Sequence, residues 1–238
     1  MNNNYLKNER GSTLLVVMGL LMAAIFISFI FFDFFTTFAA KRVGQTSADS
    51  AALAAAEEAK QIYDKELRKQ IKDRLDDLKS EKEAEKEEGK EGAEPAEGEG
   101  ISTPITGIGD ALFGKEMPPG VEKWINGSIV DLDSMDLNEA LKYLFEQDEI
   151  NHISCGSIED AFPQVEEAAR HYAKLNGAEE DVEVEFPYEG EFKVFVKVKK
   201  KAEFVTVDEN MFSGDENKVR AEAAVNIATP KGIEITCD

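Results

Sequence analysis

From Leu14 to Phe32 the chain reads LLVVMGLLMAAIFISFIFF, nineteen residues with no charge and one hydroxyl, Ser28. A helix rising about 1.5 Å per residue crosses the roughly 30 Å hydrocarbon layer of a bilayer in that length. FFTTFAA, after Asp33, carries the apolar pattern on nearly to Lys41. The phenylalanines Phe26, Phe29, Phe31, Phe32, Phe34, Phe35 and Phe38 fall on every side of such a helix. A core helix would confine them to one stripe, so the pattern asks for an apolar solvent all round and predicts a transmembrane helix over 14–40. A cleaved secretory signal has a shorter apolar core, roughly 7 to 15 residues, although Thr37, Ala39 and Ala40 are small enough to be cut beside. Asp33 is costly in hydrocarbon and is expected at the interface. Lys7 and Arg10 on one flank match Lys41 and Arg42 on the other, so charge alone sets no orientation. The short segment 1–13 and the long distal part favour a cytoplasmic amino terminus with residues 101–238 outside.

After the span, the small-residue run Ala48 to Ala56 leads into a helical pattern whose larger apolar residues are Tyr63, Leu67, Ile71, Leu75 and Leu78. Steps of four and three make a narrow stripe on a long amphipathic helix over 41–80. Two uses of the stripe stay open: docking on the chain's own distal domain, or a seam with helices of other subunits. Residues 81–100, EKEAEKEEGKEGAEPAEGEG, have no large apolar side chain and read as an acidic linker or a frayed continuation of the helix. ISTPITGIGDALFG follows with turn formers. Asp136 and Glu139 resemble a capping box opening a short helix, LNEALKYLFEQ. Pro163 suits the first turn of a second, PQVEEAARHYAKL, with Val165, Ala168 or Ala169, Tyr172 and Leu175 inward and Gly177 as the stop.

The period then changes to two. Val182, Val184 and Phe186 alternate with acids, Pro187 to Gly190 turn, and Phe192, Val194, Val196 and Val198 share one face of a second strand. Further strands are expected at Glu203 to Val207, at Val219 to Ile227, and as a short piece at Ile233 to Thr236. The fold class is α+β, a small antiparallel sheet packed with helices behind a membrane helix.

Charge narrows the partners. The 238 residues hold 27 basic and 48 acidic side chains, a formal charge of −21, which disfavours nucleic acid. The length allows one or two modest folding units. Cys155 and Cys237 are the only cysteines. An even count in an extracytoplasmic domain suggests a disulfide tying the chain end to the sheet; two free thiols are the competing reading. A zinc set of His152, Cys155, His171 and Cys237 lacks paired short spacings, so no metal is expected. Asp131, Asp133 and Asp136 lie close together without a twelve-residue calcium loop and read as a helix start. The run from Asp208 to Asn217 reads as a sheet loop. No nucleophile elbow, phosphate-binding glycine loop or zinc-protease helix is present, so neither catalysis nor a cofactor is expected.

Two stretches resemble the TadE/TadG-like family of Flp (tight adherence) pilus-assembly proteins. One is Glu9 to Thr13, the apolar helix, then Ala40 to Gln45 and Ala48 to Ala56; the other is ARHYAKLN, residues 169–176, followed by Gly177 and alternating valines. The resemblance implies a pilin-like layout. It implies a single-pass protein of the bacterial cell membrane, acting as an accessory or structural subunit of a pilus or surface assembly, with lipid and other pilin-like subunits as partners. Gly11 and Ser12 are the candidate prepilin processing site, although Val16 stands where processed members carry Glu. Gly19 and Ala23 would let one neighbouring helix approach closely. The alternative is a membrane-tethered extracytoplasmic module that binds a ligand or cation.

Overall fold

The computed structural model describes residues 9–91, 116–178, 181–202, 204 and 218–237, with the side chains of the first helix described from 13 to 84. It is an α+β protein. Helix α1, Glu9–Glu91, runs for 83 residues. Among the described residues it is followed by α2 (Pro119–Ile125), α3 (Leu137–Leu144), α4 (Gln147–Asp160) and α5 (Phe162–Leu175). Strands β1 (Val182–Glu185), β2 (Lys193–Lys201) and β3 (Lys218–Asn226) form an antiparallel sheet in the order β1-β2-β3. Helix α1 passes the expected end near residue 80 because Glu, Lys and Ala in the acidic run are all good helix formers. The turn-rich segment 101–114, the strand expected from Glu203 to Val207 and the loop from Asp208 to Asn217 lie outside the described residues or nearly so; Phe204 is not in a strand.

The chain forms two compact units: Met1–Leu53 with Ala169–Val184 and Phe195–Ala224, and Ala54–Ala168 with Glu185–Val194 and Val225–Asp238. In the first, Ala40, Gly44, Ser47, Ala48, Ala51 and Ala52 form the buried face of α1. The end of α5 lies against it. Ser47 Oγ donates to the Ala173 carbonyl at 2.7 Å, and Asn176 Nδ2 donates to Ser50 Oγ at 2.8 Å. A Cβ on Gly177, whose φ is +84°, would stand 3.3 Å from Val43 Cγ1. A Cβ built on Gly44 would meet the Cβ atoms of Ala221 and Lys200 at 3.5 Å, and Gln45 donates to the Glu222 carbonyl at 3.1 Å. Such approaches need small side chains, which corrects the inward set of α5. Val165, Ala169 and Ala173 are buried, whereas Tyr172 and Leu175 are 46% and 67% exposed.

On β2, Val194, Val196 and Val198 are fully buried, as the alternation requires. The polar face is a charge ladder across to β1: Lys197 meets Glu183 at 3.1 Å and Lys199 meets Asp181 at 2.9 Å. Each such cross-strand pair adds roughly 0.2–1 kcal/mol. The turn into β2 has Glu189 at φ 54° and Gly190 at φ 73°, two consecutive left-handed residues that suit the twist of a hairpin.

In the second unit Tyr63, Leu67, Ile71 and Leu75 are buried, and Leu78 is half-buried. The stripe docks on the chain itself. The Tyr63 ring meets Phe192 edge-on at 5.4 Å, and its hydroxyl donates to the Ala228 carbonyl. Trp124 of α2 donates from Nε1 to Asp76 at 3.1 Å. Asp136 caps α3, accepting from the N–H groups of Asn138 and Glu139 at 2.9 and 3.3 Å. Helix α4, absent from the sequence reading, hides its signal in His, Ser, Asn and a mid-helix Gly156, with Ile150, Ser154, Cys155 and Ile158 inward.

Candidate functional site

The chemistry of α1 changes along its length. Every large apolar side chain from Leu14 to Phe38 is exposed, Leu14 at 72% and Phe38 at 60%. The hydroxyls in this stretch are satisfied within the helix: Ser28 donates to the Ala24 carbonyl at 2.8 Å, and Thr36 and Thr37 donate to the Asp33 carbonyl at 2.9 and 3.0 Å. Self-satisfied polar groups under an uncovered apolar surface are what a lipid environment demands. Among the described residues this is the one stretch long and apolar enough to cross a membrane. Cover by the protein's own side chains begins at Ala40. Gly11 and Ser12 fall in the first turn of α1.

Cys155 on α4 and Cys237 are joined as a disulfide, with Cα atoms 5.9 Å apart. Neither thiol is therefore available to a zinc set with His152 and His171. Around the bond, Gln147 Nε2 donates to the Glu234 carbonyl at 2.6 Å and Asn151 Nδ2 to Thr236 Oγ1 at 3.1 Å, while Ile233 and Ile235 are buried. A single antiparallel bridge, Glu191 to Thr236, replaces the short terminal strand expected there. Asp131 accepts from the Asp133 N–H at 3.1 Å and so caps the single 3-10 turn Leu132–Ser134, Asp133 pairs with Arg68 at 2.8 Å, and Asp136 starts α3. Among the described residues no three His, Cys, Asp or Glu side chains converge as metal ligands.

A groove of about 780 Å³ runs between α1 and α4, with Gln61, Lys65, Glu66 and Lys69 on one wall and His152 and Asp160 on the other. The Glu66 carboxyl is held below its usual range by hydrogen bonds from Gln70 and Lys69. Signs of charge alternate around the lining, so it presents no single ionic preference. Sequence reasoning missed the groove because it missed α4.

Titratable groups in the same unit are perturbed for structural reasons. The Tyr63 hydroxyl is pushed up by burial, with the charges of Asp64 and Glu57 adding to the effect. Burial also raises Asp64. Glu149 is held low, first by the Glu146 N–H and then by Arg74. None of these groups borders a cavity arranged around a reacting atom.

No curated protein and no solved structure matches the chain. One family model does, and its span takes in two successive stretches of α1, the uncovered apolar one and the one with the buried small-residue face: residues 11–58 are similar to the Flp pilus-assembly TadE/G-like family.

Proposed function

We propose that this protein is a membrane-anchored accessory or structural subunit of an Flp-type pilus or related surface assembly. The observation that carries the reading is the coincidence of the family match over 11–58 with a helix whose large apolar side chains are uncovered to Phe38 and which has one covered face from Ala40. In this reading 1–13 is cytoplasmic, 14–40 spans the bilayer, 41–80 continues as the amphipathic helix, and the acidic run 81–100, which α1 enters as far as Glu91, links it to 101–238, the extracytoplasmic α+β domain. Other pilin-like or assembly subunits and lipid are its partners. The matched family is a pilus-assembly family rather than an enzyme family, and the proposed role needs no catalytic residue or cofactor. Gly11 and Ser12 would be the processing site if the chain follows the prepilin route, and the Cys155–Cys237 bond would form outside the cytoplasm.

Deletion of the chain should abolish or reduce piliation, and full-length protein should stay in the membrane pellet after an alkaline carbonate wash. Normal pili in the deletion strain would sink the assembly role; recovery in the wash supernatant would sink the anchor. Mass analysis of the mature amino terminus decides processing: a start at Ser12 supports it, and an intact Met1 indicates a permanent tether. The α1–α4 groove favours a second reading, a tethered binding module.

A further inference from the structure

Beyond the span, few large apolar side chains are exposed among the described residues. Val43, Tyr172 and Leu175 are three of them. They belong to one compact unit. The end of α5 descends along α1 towards the apolar segment, since Ala173 meets Ser47 and Gly177 meets Val43. Val43 is five residues past Phe38, which at the helical rise is about 7.5 Å. A headgroup layer takes up roughly 5–7.5 Å on each side of the hydrocarbon. Phe38 has no protein over it, so lipid that covers Phe38 brings its headgroups to the level of Val43 and of Gly177 beside it, with Leu175 at their outer edge; Ala173, beside Ser47, stands about 13.5 Å past Phe38 and lies beyond them.

The charge at this level is complementary to such a layer. Lys41, Arg42 and Lys174 are exposed, and Lys200 is half-exposed with its Cβ against Gly44. Of the nearby acids, Asp181 and Glu183 are engaged by Lys199 and Lys197, Asp49 accepts from Gln45, and Glu222 is exposed. Arg42 and Asn176 also share a hollow of about 370 Å³ that reaches Ala39, next to Phe38. Leu175, on the last turn of α5, is the exposed apolar side chain of this helix nearest that level.

We propose that this collar is a second membrane contact, in which Leu175 enters the interfacial layer while Lys41, Arg42, Lys174 and Lys200 meet anionic headgroups. The contact fixes the end of α5 against the bilayer in addition to the span. It rests on the anchor reading, and its occupant is the lipid surface rather than a second copy of the chain.

The full chain is reconstituted in phosphatidylcholine vesicles with and without phosphatidylglycerol, carrying either Leu175→Trp or Phe26→Trp, and each emission is read against the parent, whose one tryptophan is Trp124. Leu175 is exposed, so its replacement disturbs no core contact. The Leu175→Trp signal should shift to the blue, lose intensity to nitroxide placed at the headgroup or shallow acyl level, and lose more when phosphatidylglycerol is present. Phe26→Trp should be quenched by deep nitroxide. Deep quenching of Phe26→Trp alongside a Leu175→Trp signal open to aqueous acrylamide would overturn the collar and keep the anchor. A Leu175→Trp signal shielded from both quenchers would mean that a second copy covers it, and would also overturn the proposal. Quenching indifferent to phosphatidylglycerol would remove the headgroup contact. Failure of Phe26→Trp to meet lipid would overturn the anchor and the collar together.

Discussion

Arg74 illustrates how single residues hold the second unit. Its guanidinium donates to the Leu144 carbonyl at 2.9 Å and to Glu149 at 2.6 Å, and lies over the Phe145 ring at 4.6 Å. A planar fork can serve these partners together and an ammonium cannot. Arg74→Lys should therefore lower stability by about 1 kcal/mol in denaturant titration despite the conserved charge. Glu149 ties the same point to pH. Its carboxyl is held low by the Glu146 N–H first and by Arg74 second. A carboxyl lowered in the fold adds stability above its unfolded pKa of about 4.3, and that stability is lost as pH falls through the folded value. The side chain is 41% exposed, so solvent screens the pair and the effect is modest. Thermal melts of Glu149→Gln should show a shallower decline on acidification than the parent below about pH 4.3. An unchanged acid slope would mean that other carboxylates carry the transition.

At the scale of elements, the buried face of α1 is built from alanines whose value lies in closeness rather than bulk. Ala59 is fully buried, while Leu53 is 63% exposed. Ala59→Leu should destabilise by about 1–3 kcal/mol through overpacking, whereas Leu53→Ala should stay within about 0.5 kcal/mol. The hairpin offers a cleaner backbone test. A Cβ on Gly190 would meet nothing within 4 Å, yet its φ is +73°. Gly190→Ala should cost about 1–2 kcal/mol from conformation alone, measurable as a lower melting temperature without any change of packing. These elements also mark what the sequence discloses. The valines of β2 are legible because period two assigns each side chain to a face, and Tyr63, Leu67, Ile71 and Leu75 are legible because bulk on a helical period marks its own stripe. Tyr172 and Leu175 mislead for the opposite reason. Bulk on a helical period reads as inward on α5, but the facing stretch of α1 is Ala and Ser, and Ala169 and Ala173 are the residues that fit against it. Helix α4 is hidden because its partners, Arg74 for Glu149 and Cys237 for Cys155, are distant in sequence.

For the whole molecule, the strongest constraint on topology is the bond between Cys155 and Cys237, which closes a separation of 82 residues. Restricting so long a segment of unfolded chain is worth about 2–4 kcal/mol. The folded cost is small, because the terminal segment is already held by Gln147, Asn151 and the buried Ile233 and Ile235. A reducing agent should therefore lower the parent's melting temperature to that of a Cys155→Ser, Cys237→Ser chain, and should leave the double variant unmoved. The same bond reports where the domain resides, since a cytoplasmic thiol pair stays reduced and an exported pair is oxidised. If 101–238 lies outside the membrane, acid-quenched cells should yield a chain in which neither cysteine takes up an alkylating reagent. A variant lacking residues 14–32, and so retained in the cytoplasm, should take up two. Two alkylatable thiols in the intact chain would place the domain on the cytoplasmic side, against the proposed assembly role, whatever the anchor does.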